Sequence, residues 1–158
     1  MATRVILVGQ LAHTSTLNLA LMAAPSNPSS ELRMPKSDYT PGYKSLHVYQ
    51  ESHKLVIKIY QITASFPKEE IFGLTSQIRR AAVSIPANII EGWARQTVKE
   101  QIQFLYIARG SLTEVCYYLE LCQTLGYIDS AREVELKSQT DSIGKLIHGF
   151  IRGLKNDN

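Results

Sequence analysis

Long apolar runs are missing from this 158-residue chain. Nowhere do about 18 apolar residues follow one another, so nothing in it reads as a membrane-crossing helix. Cysteine is scarce as well. Two residues, Cys116 and Cys122, rule out a disulfide-stapled scaffold and any four-thiolate zinc site. Six positions apart on one helix they cannot face each other, and they read as small buried apolar residues in a reducing cytoplasm. Nine Gly and six Pro exclude collagen-like and proline-rich chains. The net charge is only +3, which by itself points to no nucleic acid.

Catalytic and metal-binding sets are also wanting. The four histidines are His13, His47, His53 and His148, and none stands in the Glu-x-x-His spacing of di-iron bundles. His47 and His53 point about 120° apart on a helix, a poor shared metal site. His148, among Asp141, Lys145 and Arg152, reads as a surface histidine. No Gly-rich strand-to-helix turn exists to cradle a phosphate. Residues with an acid–base, nucleophilic or cofactor role are therefore expected to be none, and the chain reads as a non-enzyme without metal or cofactor.

What is present is an ordinary core. The hydrophobic fraction is 44% and the charged fraction 20%, enough for one domain with at most a tail. The chain divides near residue 43. Residues 1–42 hold Pro25, Pro28, Pro35 and Pro41, and Pro25–Glu31 is rich in breakers, so this part reads as a loop-rich or disordered extension. Val5–Val8 and Leu21–Ala24 faintly resemble a secretory signal. Gln10, His13, Thr14, Ser15, Thr16 and Asn18 interrupt the apolar core that such a signal needs. The alternative is an over-extended start, with Met34 as the initiator.

Residues 43–158 read as four helices. Ser45 is expected to cap the first, over roughly 46–66, with Val48, Leu55, Ile59, Ile62 and Phe66 on its apolar line. A parallel line runs through Leu46, Tyr49, Val56 and Tyr60, and Phe66–Pro67 ends the helix. The second covers about 72–93, with Leu74, Ile78, Ala81, Ile85 and Ile89 at helical spacing. Thr97 and Glu100 form a capping box for the third, which runs to Leu125 with Gly126 as its stop. Ser130 and Glu133 form another for the fourth, whose line is Leu136, Ile143, Ile147, Phe150 and Leu154. Gly110, Gly144, Gly149 and Gly153 lie inside helices, where close helix approach would account for them. Short connections imply an all-α, antiparallel up-and-down four-helix bundle.

Two helices carry more than a core stripe. On the third, Val98, Leu105, Leu112 and Leu119 repeat every seven residues, joined by Ile102, Ala108 and Cys122. A second set, Phe104, Ile107, Val115, Tyr118 and Leu125, lies on a neighbouring face; it implies either a central position in the monomer or, as a small bundle has no wholly internal helix, a surface for another subunit. On the second, Gln77, Arg80, Ser84, Asn88, Glu91 and Arg95 form one polar line. Pro86 within it is expected to kink the helix, with Ser84 and Asn88 bonding freed carbonyls. The line reads either as a solvated face with that local repair or as a subunit contact or phosphate-binding line. Trp93 and Tyr106 offer rings for base stacking, or lie buried at a helix end.

The stretch from Phe66 to Gly92, with Ile78-Arg-Arg-Ala-Ala-Val-Ser-Ile-Pro-Ala-Asn-Ile-Ile-Glu-Gly92 at its centre and Arg95 after it, resembles the signature of small proteins encoded in 23S rRNA intervening sequences. Gln103–Glu114, Leu125–Ile128 and the opening Tyr43–Tyr49 fit the same family, so the resemblance runs over about 43–155 in order. It implies a four-helix bundle assembled as a ring, usually a homopentamer, with no established enzymatic activity. Relatives include the accessory subunit of diversity-generating retroelements. The partners implied are further copies of the chain, RNA, and a nucleic-acid enzyme such as a reverse transcriptase.

Charge is distributed unevenly. Residues 73–110 hold five Lys or Arg against two Glu, and 114–141 hold two against six Asp or Glu. The acidic part of one subunit can meet the basic part of another, or Arg79, Arg80, Arg95, Lys99 and Arg109 can meet phosphates. A cytoplasmic RNA- or ribonucleoprotein-associated accessory protein is the reading that follows, with a protein-binding scaffold lacking nucleic-acid affinity as the alternative. Limited proteolysis with mass spectrometry should leave a stable fragment starting between about residues 34 and 45. A protected core that retains residues 5–24 would show the division to be misplaced.

Overall fold

A computed structural model describes residues 42–156, and all but Gly42 of the expected N-terminal extension lies outside them. Four helices account for most of the described chain: α1 His47–Thr63, α2 Leu74–Trp93, α3 Val98–Thr124 and α4 Ser130–Asn156. Short 3-10 turns at Gly42–Ser45 and Lys68–Glu70 precede α1 and α2, and the described residues contain no strand.

The helix ends follow local chemistry, with three departures from expectation. Ser45 does not cap α1. Its hydroxyl donates to the Gly42 carbonyl at 2.7 Å, closing the 3-10 turn, and Leu46 stands at the cap without a side-chain bond. α1 ends at Thr63 rather than Phe66. Phe66 turns inward, and its ring lies 5.2 Å from that of Tyr127, at the turn between α3 and α4. The third departure is at α4, where Asp129 and not Ser130 is the cap: its Oδ1 accepts from the Arg132 N–H at 2.7 Å. A carboxylate at a helix N-terminus also meets the positive end of the macrodipole, which favours Asp129 over the hydroxyl. Glu133, the expected box partner, is 3.0 Å from Lys137 instead.

The α3 boundaries match their motifs. Thr97 Oγ1 accepts from the Glu100 N–H at 3.3 Å and donates to Glu100 Oε2 at 2.5 Å. That bond holds the Glu100 carboxyl below the usual carboxylate range. At the other end Gly126 has φ 75°, its N–H reaches the Gln123 carbonyl at 3.0 Å, and the Tyr127 N–H reaches Cys122 at 2.9 Å. This pair of bonds is a Schellman motif, and it requires a residue that tolerates positive φ.

α1 packs on α2 and α4, and α3 packs on the same two. Leu55, Ile59, Ile78, Ile85, Leu119, Leu136, Ile143 and Ile147 are wholly or almost wholly withdrawn from solvent and form the centre of the core. Two buried hydroxyls are satisfied within α1: Ser52 donates to the Val48 carbonyl at 2.7 Å and Thr63 to Ile59 at 2.8 Å. α2 runs unbroken across the buried Pro86. Asn88 Nδ2 donates to the Ser84 carbonyl at 2.7 Å rather than to Ala82, whose partner N–H the proline removes.

Close helix approach explains one glycine, and it is not among the four expected. A Cβ on Gly92 would lie 3.1 Å from Phe104 Cβ and 3.2 Å from the Gln101 carbonyl oxygen, so α2 and α3 meet there without room for a side chain. Gly110, Gly149 and Gly153 have nothing within 4 Å of that position, and Gly144 has only an ordinary contact with Leu112. The opposite substitution effects that follow are measurable by urea denaturation. Gly149→Ala should stabilise by about 0.5–1 kcal/mol, because helix propensity rises with no steric penalty. Gly92→Ala should destabilise by about 1–3 kcal/mol through overpacking against a backbone carbonyl.

Candidate nucleic-acid interface

The five basic residues singled out in the sequence fall into three groups with different surroundings. Arg79 and Arg80 border a groove of about 810 Å³ between the end of α1 and the first half of α2. Arg79 Nε donates to Thr63 Oγ1 at 2.7 Å, and its guanidinium lies 4.7 Å from the centre of the Tyr60 ring. Arg80 is exposed and has no carboxylate partner among the described residues. Arg95 and Lys99 flank the α2–α3 connection. Arg95 is closed off: it pairs with Glu91 and lies 4.7 Å from the Phe104 ring centre. Lys99 is exposed in the first turn of α3. Arg109 lies 4.9 Å from the Tyr106 ring, whose hydroxyl accepts from Lys155 Nζ at 3.2 Å. Lys155 comes from α4, so no spacing along α3 reveals it.

The polar line on α2 is not uniform. Ser84 and Asn88 are half-buried and turned toward α3, where the Ser111 hydroxyl donates to Ser84 Oγ at 2.8 Å and Asn88 Nδ2 donates to the same oxygen at 3.0 Å. Gln77, Arg80 and Glu91 are exposed. The middle of the line therefore joins α2 to α3 within the chain, while its ends face solvent. Glu91 takes Arg95, one turn along the same helix face.

The second apolar set on α3 divides in the same way. Val115 is fully buried, so its side chain is part of the chain's own core and not of a subunit surface. At 100° per residue the buried positions Leu105, Ala108, Ser111, Leu112, Val115, Leu119 and Cys122 span an arc of about 120°. Packing against both α2 and α4 requires that width, and Val115 falls inside it. Ile107 and Leu125, 43% and 49% exposed, lie outside it on one line with half-buried Tyr118 beside them, whereas Phe104 falls inside it, against Gly92 of α2 and under the Arg95 guanidinium, and is not part of an outward surface.

Acidic residues are largely engaged within the chain. Glu135 takes Lys58 at 2.8 Å and Arg132 at 2.6 Å, and these bonds hold its carboxyl below the usual range. Lys137 bridges Glu133 at 3.0 Å and Glu120 at 3.5 Å, which raises the lysine's pKa. Glu51 is bound by Lys54 at 2.7 Å. The acidic half of the sequence is thus partly neutralised by its own cations.

Among the described residues no group of three or more His, Cys, Asp or Glu is placed to hold a metal ion, and no helix is long and apolar enough to cross a membrane. Cys116 is half-buried with its Sγ 3.2 Å from Thr140 Oγ1, and Cys122 is fully buried.

Four helices and no strand among the described residues define the class, and comparison with known proteins defines the family. The family model for the 23S rRNA-intervening sequence protein matches residues 44–149, so the chain belongs to that family. A solved structure of a protein of unknown function from the S23 ribosomal protein family of Bacteroides thetaiotaomicron is similar at 28% identity and a TM-score of 0.60. The match covers 66% of this chain and 97% of that one. Among curated proteins none matches. Neither match indicates an enzyme family.

Desolvation by burial pushes the Cys122 thiol up to about 11, with Glu70 adding to the shift. Tyr127, whose O–H donates to Glu70 Oε1 at 3.1 Å, is raised in the same direction by desolvation and that bond. Both groups are neutral when folded and ionise more readily when unfolded. Their stabilisation is complete below about pH 8.5 and is lost as pH rises toward 11. Urea midpoints should fall between pH 9 and 11, and Cys122→Ala should flatten part of that fall. Native protein at pH 8 should leave Cys122 unlabelled by a thiol reagent until it unfolds.

Proposed function

We propose that this chain is a non-enzymatic, self-associating four-helix-bundle protein that accompanies RNA or a ribonucleoprotein in the cytoplasm. One observation carries the reading. Arg79, Arg80, Lys99 and Arg109 have no carboxylate partner among the described residues, whereas Glu120, Glu133 and Glu135 are paired inside the chain. Unpaired cations thus stand on α2 and the first half of α3, as they do at Lys145 and Arg152 of α4, and phosphates are the partners of matching chemistry. The family's description, which refers to 23S rRNA-intervening sequences, accords with that. A nucleic-acid enzyme such as a reverse transcriptase is a further partner of the same kind.

The helices alternate up and down in this reading. Support comes from pairs of contacts that run in opposite order along neighbouring helices. Ser84 meets Ser111 while Gly92 meets Gln101; Leu112 meets Gly144 while Cys116 meets Thr140; Glu51 meets Gln139 while Lys58 meets Glu135. Copies of the bundle close into a ring, a homopentamer by family likeness. Ile107 and Leu125, with half-buried Tyr118 beside them, supply an outward apolar line on α3 for that contact. A ring repeats a weak cationic site several times, so modest charge per chain suffices for binding.

Light scattering should give a multimer at micromolar concentration. Ile107→Glu with Leu125→Glu should reduce it to a monomer of unchanged helicity, since both side chains are exposed in the single chain. RNA affinity should fall with salt, with a logarithmic slope of about 0.7–0.9 per phosphate neutralised. The triple variant Arg80→Gln, Lys99→Gln, Arg109→Gln should lose it while the multimer persists. A second reading, a protein scaffold, is favoured by the closure of Arg95 on Glu91, and a multimer with no RNA affinity at low salt would establish it.

A further inference from the structure

The groove bordered by Arg79 and Arg80 has a composition that the rest of the surface does not explain. Lys68 is the third cation on its walls, and no Asp or Glu lines it. None of the three cations has a carboxylate partner among the described residues. Thr75, only 5% exposed, also lines the groove, and its hydroxyl meets no hydrogen-bond partner in the protein. A buried hydroxyl left unpaired is costly, and this one sits withdrawn from solvent behind the groove wall.

Arg79 is held in place before any ligand arrives. Thr63 Oγ1, itself anchored to the Ile59 carbonyl, takes the Arg79 Nε–H, and the Tyr60 ring supports the guanidinium plane. The terminal nitrogens of Arg79 donate to no described residue, which leaves a fixed fork of donors suited to phosphate oxygens. Tyr60, Ile71 and Val83, 45%, 50% and 42% exposed, provide an apolar wall alongside. The volume, about 810 Å³, lies within the range of organic-ligand sites.

We infer that this groove binds single-stranded RNA, with one nucleotide's phosphate on Arg79, Arg80 and Lys68 and its base against the Tyr60–Arg79 stack. Stacked aromatic and guanidinium planes recognise unpaired bases, which a duplex does not offer. A second copy of the chain is the competing occupant: Glu51, Glu91, Glu120, Glu133 and Glu135 already have cation partners, Glu69, Glu114 and Asp141 have none among the described residues, and the multimer mass in the test below separates the two. The inference rests on the RNA reading above and locates its contact: Arg80 belongs to it, while Lys99 and Arg109 lie outside it.

Fluorescence anisotropy with a labelled single-stranded RNA decamer, and with the same sequence as a duplex, tests this on the full chain, with light scattering alongside. Arg80→Gln and Lys68→Gln should each lower the salt slope by about 0.7 and affinity severalfold. Tyr60→Ala should lower affinity about tenfold through lost stacking. Lys99→Gln and Arg109→Gln, measured singly, should change it far less, and duplex RNA should bind more weakly than the single strand. If the parent protein binds no RNA at low salt, the RNA reading itself fails and this inference with it. If the parent binds but the groove variants match it while Lys99→Gln or Arg109→Gln weakens binding, the RNA reading stands and the groove assignment is overturned. Equal affinity for duplex RNA overturns the nucleotide pocket. A fall in multimer mass in Arg80→Gln or Tyr60→Ala assigns the groove to a contact between copies and overturns it as well.

Discussion

Four apolar stripes that cannot be buried separately have to share one core, and every other feature of this molecule follows from that. An isolated amphipathic helix is marginal in water, so α1 to α4 owe most of their stability to the faces they withdraw from it. Leu55 and Ile59 on α1, Ile78 and Ile85 on α2, Leu119 on α3 and Ile143 and Ile147 on α4 meet at zero exposure. Each such side chain contributes about 1.5–3 kcal/mol relative to the exposed state, offset by the entropy of ordering the chain. α3, packed on both α2 and α4, buries an arc that takes in Val115 and Ser111.

Once the inward faces are committed, the fate of each surface charge depends on what the neighbouring helix places beside it. Glu135 on α4 meets Lys58 of α1, and Lys137 draws Glu120 of α3 and Glu133 together. No comparable acid stands beside Arg79 or Arg80. A chain whose net charge is only +3 can in this way present a locally cationic groove, because neutralisation is local while composition is global. Arg95 shows the converse, a cation prominent in sequence but already occupied by Glu91 and Phe104.

A bundle of this kind defines a scaffold and not a reaction. The outward features of this one are the α1–α2 groove, the Tyr106 site with Arg109 and Lys155, and the Ile107–Leu125 line. Glu70 links two ends of the scaffold, accepting the Leu74 N–H at the start of α2 and the Tyr127 hydroxyl beyond α3. With Phe66 packed on Tyr127, it fixes the connection that forms one wall of the groove.

Helix number, helix order and most of the core were determined by the sequence alone, because they depend on periodicity and short-range chemistry. The Thr97–Glu100 box, the Gly126 stop and the line Leu55, Ile59, Ile62 are local patterns that survive in any tertiary context. Competition between neighbouring caps was less legible: Ser130 and Asp129 both qualify, and the carboxylate prevails on the helix dipole. What only the tertiary structure decided is which side chains meet across helices. Thr63 and Tyr60 lie 16 and 19 positions from Arg79, and Lys155 lies 49 from Tyr106. Periodicity assigns a residue to a face of its own helix, but partnership depends on the rotation and offset of a second helix. Val115 was misplaced for that reason, since its position on α3 falls inside the arc that α2 and α4 together cover.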